Sequence, residues 1–219
     1  MSASVVIFLG TVAGVAAFFV RASDRPVYTA AVIAAGLGFS ALLAESAWLA
    51  DFDARPPHFL LFATPTFAAT IALAFSPLGA RLCARVGTAA LIGFQVFRVP
   101  VEWVLFALHR DGTAPVQMTF EGWNFDVLTG LSAPVVAWLA ARGSIGRRGL
   151  LAWNCAGLAL LANIVSIAIL STPTPLRAFW NEPANTFVTH WPWVWLPGFL
   201  VPAALCGHLL AFRKLARMR

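Results

Sequence analysis

Apolar runs of membrane-spanning length recur along this chain, broken by short polar segments. Taking about 20 predominantly apolar residues per crossing, the pattern predicts helices over 2–20, 27–50, 58–76, 87–108, 126–142, 149–170 and 191–212. The connections are mostly short, with two longer ones at 109–125 and 171–190. The expected architecture is an all-α polytopic bundle of seven transmembrane helices. It forms a single domain over residues 1–219, with no convincing internal repeat. The first run has no basic residue before it, unlike a cleaved secretory signal, so it is expected to be a retained helix. Pro65, Pro100, Pro134, Pro197 and Pro202 fall inside four of the runs, and bending is expected at Pro100. Gly10 and Gly14, and Ala30, Ala34 and Gly38, repeat small residues at four-residue spacing and are expected to pack closely within the bundle.

Composition agrees. The chain is 60% hydrophobic and 11% charged, against about 25% charged in soluble domains. Its partner is therefore the lipid bilayer. The net charge of +6 does not signal nucleic-acid binding, because the arginines sit in short loops between apolar runs.

Alternating those loops puts Arg21, Arg25, Arg81, Arg85, Arg142, Arg147, Arg148, Arg213, Lys214, Arg217 and Arg219 on one side and only Arg55, Arg110 and Arg177 on the other. The positive-inside rule then sets the N-terminus outside and the C-terminus in the cytoplasm, in a bacterial cytoplasmic membrane. Cys83, Cys155 and Cys206 fall at or near the cytoplasmic side, where thiols stay reduced. Trp48, Trp103, Trp123, Trp180, Trp191, Trp193 and Trp195 lie toward the outer face.

The fourth run carries the anomaly. At about 100° per residue, Thr88, Gln95, Arg98, Glu102 and His109 fall on one stripe. Counting 1.5 Å per residue places Arg98 about 17 Å into the run, near mid-membrane. A charge there costs about 2.5–3.5 kcal/mol on insertion scales, so the stripe is expected to face the bundle interior. An Arg98–Glu102 pair that only locks packing is the structural alternative to a functional one.

The loop before the fifth run contains Glu121, Asn124 and Asp126. Asp126 is expected to cap that helix, while Glu121 and Asn124 can fold over the mouth of the fourth. The 171–190 segment is rich in proline and aromatics and is expected to lie on the membrane surface as a lid. His58, His109 and His190 all fall at outer helix ends, and a divalent metal held by them is conceivable. No HxxxH or HExxH spacing supports it.

No phosphate-binding loop, serine-hydrolase order or dinucleotide fingerprint is present. The only lysine, Lys214, lies in the cytoplasmic tail, which excludes a retinal-type Schiff base within the bundle. The leading expectation is a membrane-embedded enzyme acting on a lipid or amphipathic substrate in an outward-facing pocket. Glu102 would act as general acid or base, and Arg98 would hold an anionic group such as a lipid or isoprenoid phosphate. His109, Glu121 and Asp126 would complete the catalytic set, with Glu45, Gln95, Asn124, Arg177, His190 and Trp191 contacting substrate. The alternatives are a small proton-coupled transporter using Glu45, Glu102 and Arg98, and a structural or assembly subunit.

Overall fold

The computed structural model describes residues 2–217, and among them the chain is all-helical, with eight α-helices and no strand. They are α1 (Ala3–Ala22), α2 (Pro26–Glu45), α3 (His58–Phe75), α4 (Pro77–Arg85), α5 (Thr88–Arg110), α6 (Val127–Ala141), α7 (Arg147–Leu170) and α8 (Leu196–Leu215). Six of them, all but α4 and α6, are long and apolar enough to cross a membrane. The seventh expected span, 126–142, is represented by α6, whose 15 residues reach only about 22 Å at 1.5 Å per residue.

Local chemistry sets the helix ends. Ser2 accepts from the Val5 N–H at the start of α1, and Pro26 occupies the first turn of α2, where a missing N–H costs nothing. Ser76 ends α3 and begins α4: its hydroxyl donates to the Leu73 carbonyl at 2.7 Å and accepts from the N–H groups of Leu78 and Gly79. The irregularity expected at Pro100 lies one turn earlier. Phe94–Phe97 tightens into a 3₁₀ turn before α-helix resumes at Arg98. Pro100 has no N–H for the carbonyl of Val96, and its ring crowds that carbonyl, so the turn preceding it cannot stay regular. In α8, Leu196–Leu200 widens into a π-turn directly before Pro202, which likewise cannot donate to Gly198.

Helix α8 forms the axis of the bundle, packed against α3, α5 and α7, while α1 packs on α5 and α6 packs on α5 and α7. The largest core cluster joins Phe8, Val12 and Val15 of α1 to Phe94, Val104 and Leu105 of α5, Leu161 and Ile164 of α7, and Leu200 of α8. Leu128, Leu131, Val135 and Trp138 form an exposed apolar stripe at helical spacing on α6. Gly10, Gly14, Ala30, Ala34 and Gly38 are exposed too, and a Cβ on any of the three glycines would touch nothing. The close packing expected of those small residues is therefore not formed, because α1 uses its Phe8–Val12–Val15 face instead.

Cations cap helix carbonyls at one end of the bundle. Arg85 donates to the carbonyl of Ala22, Arg147 to that of Leu215 at 2.9 Å, and Lys214 to that of Cys83 at 2.6 Å. Arg213 donates to both Ala74 and Ser76, at 2.7 and 2.8 Å. These oxygens lie at helix C-termini, where orphan carbonyls and the helix dipole favour positive charge. This basic end gathers most of the residues assigned above to the cytoplasmic side; Arg219 lies outside the described residues.

The opposite end is closed by the two long loops. Only part of the 171–190 segment lies on the surface as expected of a lid: Leu176 and Trp180 are exposed. Its Asn185, Phe187, Val188 and Thr189 are buried, and its backbone returns to α7 through Ala178 and Phe179 to Leu170 and through Asn185 to Ser171. Burial of those side chains pulls the loop into the bundle.

Arg213→Met keeps the length of the side chain but removes both bonds to the end of α3. Hydrogen bonds to charged groups are worth about 1.5–3 kcal/mol, so unfolding of the purified protein in detergent should occur at lower denaturant. An unchanged transition would contradict the capping role.

Candidate functional site

The site is built on Arg98, which leaves α5 immediately after the 3₁₀ turn and is only 3% exposed. Its guanidinium meets Asp126 at the head of α6 in a two-pronged ion pair, Nε to Oδ2 at 2.6 Å and Nη2 to Oδ1. This fork geometry is the strongest arrangement available to an arginine and a carboxylate. Nη1 donates to the Gly157 carbonyl of α7 at 3.4 Å and lies 3.1 Å from Nε2 of His208 on α8. One side chain thus ties four helices together.

Two glycines make this approach possible. A Cβ on Gly157 would sit 2.7 Å from the His208 ring and 2.9 Å from Thr129, and a Cβ on Gly130 would sit 2.8 Å from Val99. Any side chain at either position would push α6 or α7 away from the arginine.

The tautomer of His208 follows from its partners. Asn154 donates its amide N–H to the backbone carbonyl of His208 at 3.1 Å, which leaves Oδ1 to face His208 Nδ1 at 2.8 Å. Nδ1 therefore carries the hydrogen, and Nε2 accepts from Arg98. Four of the five Arg98 N–H groups thus engage Asp126, Gly157 and His208.

Glu102, one turn along α5, does not pair with Arg98. Its Oε2 accepts from Asn124 Nδ2 at 2.6 Å. Asn124 also donates to the Met118 carbonyl and accepts from the Asp126 N–H, so its amide orientation is set by three bonds. The result is one continuous chain: Glu102, Asn124, Asp126, Arg98, His208, Asn154. Glu102 is 3% exposed; its other carboxyl oxygen makes no hydrogen bond among the described residues, although the Phe120 backbone N–H also approaches the carboxyl.

Arg98, Glu102, Asn124 and Asp126 form the polar floor of a largely apolar pocket of about 480 Å³. Its walls come from α3 (Phe59, Ala63, Phe67), α7 (Leu161, Ile164, Val165) and α8 (Leu196, Leu200, Ala204).

The other residues named from the sequence lie elsewhere or act differently. Gln95 is buried one turn before Arg98 and donates to the Ala204 carbonyl at 3.2 Å, a link between helices. Asp126 occupies the N-cap position of α6 as expected, but its side chain makes no cap hydrogen bond; both its oxygens are taken by Arg98. Glu45 and Glu121 are exposed and outside the network. His109 faces the Ala114 carbonyl at 3.1 Å and closes its own turn. Arg177 pairs with Glu182 within the second loop at 2.8 Å, and that hydrogen bond holds the Glu182 carboxyl below its ordinary range. Trp191 packs edge-on against Trp195.

The expected metal triad is not assembled. His58 stacks on Trp48 at 4.2 Å, His109 is held by Ala114, and His190 meets the Thr186 carbonyl at 3.2 Å. Among the described residues no three His, Cys, Asp or Glu side chains are placed to hold a metal ion. Each histidine is instead satisfied by its own segment.

Reading one helix at a time missed His208 and Asn154. A histidine and an asparagine inside two apolar runs were the available signal, since polar groups in such runs seek partners between helices.

Fold and site together define an all-helical protein, compatible with membrane embedding, with a buried ionic network beneath an apolar pocket. The chain belongs to the family described as Domain of unknown function (DUF8737), which matches residues 56–216 and so includes the whole network. No curated protein and no solved structure matches the chain.

Removing one partner of a buried ion pair typically costs about 3–5 kcal/mol, whereas replacing both by apolar residues is often neutral. Arg98→Met and Asp126→Leu should each destabilise strongly, and the double variant should recover most of the loss in an unfolding titration. Additive losses in the double variant would show that the two side chains act independently.

Proposed function

We propose that this is a seven-pass membrane protein, N-terminus outside and C-terminus in the cytoplasm, that admits an amphipathic molecule from the bilayer into the pocket beside Glu102. The observation carrying this reading is the unpartnered carboxyl oxygen of Glu102 in an otherwise apolar pocket. A buried polar atom without a partner is costly, and its retention in a residue that lines the cavity points to use.

The topology supports the reading. Short α6 completes the seventh crossing, with its exposed Leu128–Trp138 stripe turned to lipid and Arg142 reaching back over Trp138, 4.1 Å from the ring centroid. The basic end then faces the cytoplasm. The pocket walls of α3 and α7 stand on either side of α8, so an apolar tail enters sideways between them. Apolar walls from three helices for the tail and one carboxyl for the head match an amphiphile better than a water-soluble solute.

Within the pocket Glu102 is the group able to take or give a proton at the polar end of the bound molecule. Arg98 has no such role: four of its five N–H groups serve Asp126, Gly157 and His208, so it positions the floor. A proton-coupled carrier is the second reading, favoured by the hydrogen-bonded chain from Glu102 to Asn154 across two further helices.

Native mass spectrometry of the protein extracted in mild detergent tests the pocket. One retained amphipathic molecule per chain is expected. Ala168→Phe, which fills the pocket from the partly buried face of α7, should abolish retention while leaving the thermal transition near that of the wild type. Retention unaffected by Ala168→Phe would overturn the assignment; Ala63→Phe, filling from α3, provides the same test if the first variant fails to fold.

A further inference from the structure

A larger cavity lies away from Glu102. Helix α2 packs on α1 but makes no substantial packing with α3, to which the 46–57 connection joins it. Between the two helices opens a cleft of about 1360 Å³, above the roughly 300–1,000 Å³ of a site for one small molecule. Val32, Gly36 and Leu43 line it from α2, and Leu61, Ala69 and Leu73 from α3, with α8 beneath them at Gly198 and Pro202. The α2 wall runs from Arg25 to Ser46, about 30 Å at 1.5 Å per residue, which is the thickness of a bilayer's hydrocarbon core.

The hydroxyls along these walls turn back onto their own helices. Thr66 donates to the Phe62 carbonyl at 2.7 Å, Thr70 to that of Thr66 at 2.9 Å, and Ser40 to that of Leu37 at 3.0 Å. Helices that associate in a membrane use such groups to bond across their interface. Here the hydroxyl hydrogens are already placed, and the middle of the cleft presents an apolar lining suited to alkyl chains.

The two mouths differ in charge. One is lined by Trp48, Asp51 and His58, the other by Asp24, Arg25 and Tyr28. At the second mouth Asp24 is paired with Arg81 at 3.5 Å, and Arg85 donates to the neighbouring Ala22 carbonyl at 3.2 Å. Arg25 has no ion-pair partner among the described residues. That mouth is therefore net positive, because its one acid is already compensated. Basic pockets between transmembrane helices recognise anionic lipid head groups, and a guanidinium fork matches a phosphate.

We infer that the cleft between α2 and α3 takes a two-chain anionic phospholipid from the leaflet at the basic end, with its phosphate at Arg25 and its acyl chains between the two helices. This rests on the membrane placement proposed above, but not on the pocket beside Glu102, whose lining is separate. A zwitterionic lipid fits the same walls, but its own ammonium group offsets the charge that Arg25 attracts.

The probes are phosphatidylglycerol and phosphatidylcholine with identical acyl chains, each titrated into the full-length protein in detergent and scored for one-to-one adducts by native mass spectrometry. Phosphatidylglycerol should bind about fivefold tighter, the factor that one basic residue near a membrane surface supplies, and Arg25→Gln should remove the preference. Gly36→Trp fills the cleft at a position where a Cβ meets nothing, and should abolish the adduct. Gly38→Trp, equally open on α2 but outside the cleft lining, should retain it. Ala69→Trp, exposed on α3, makes the same test if Gly36→Trp fails to fold. Equal binding of the two lipids would overturn the anionic head group. An adduct that survives Gly36→Trp and Ala69→Trp would overturn the cleft as its site, and one lost only with Ala168→Phe would place the lipid beside Glu102 instead. A dimer that Gly36→Trp dissociates, found in place of the adduct, would make a second copy of the chain the occupant and overturn the inference. No adduct with either lipid would overturn it as well, while leaving the Glu102 pocket to its own test.

Discussion

The two-pronged bond between Arg98 and Asp126 organises the interior of this protein. In an apolar bundle neither group is tolerable alone, and the desolvation of each must be offset by geometry and further hydrogen bonds. The fold meets that demand by converging on one guanidinium: the head of α6 brings Asp126, glycines let α6 and α7 approach, and α8 supplies a histidine acceptor. The 111–126 loop follows from the same constraint. Once Asp126 is pinned, Asn124 two residues earlier is carried down onto Glu102. The site is therefore a consequence of how the ion pair is satisfied.

This arrangement separates two roles that the sequence places on one stripe. Arg98 and Glu102 are a single helical turn apart and of opposite charge, which invites pairing between them. Asp126 wins the arginine because a carboxylate arriving from another helix can meet the fork edge-on with both oxygens, whereas a residue one turn along the same helix reaches it only obliquely. Glu102 is left with one amide partner and one unpartnered oxygen. Arg98 is structural; Glu102 has capacity to spare.

Much of the fold was legible from the apolar runs, and the stripe Gln95–Arg98–Glu102 does turn inward, all three side chains being buried. Periodicity identifies a helix face but not the distant segment that meets it. That is why Asp126 reads locally as a cap, and why His208 and Asn154, isolated in their own runs, carry no visible link to Arg98. The three terminal histidines show the converse error: a shared end of the bundle brings residues to the same level but not to the same point. Composition resolved the 171–190 loop as ordered; its inward course depends on Asn185, Phe187 and Val188 finding space between α7 and α8, which only the packed bundle creates.

If Glu102 is the working carboxyl of a pocket that opens to lipid, an apolar carbodiimide added to the protein in lipid nanodiscs will enter from the bilayer and add to it. Peptide mapping by mass spectrometry should then locate a stable acylurea on Glu102, reduced by Ala168→Phe, with Asp126 unmodified because Arg98 holds both its oxygens. Modification of Asp126 in preference to Glu102, or modification of neither, would contradict this account.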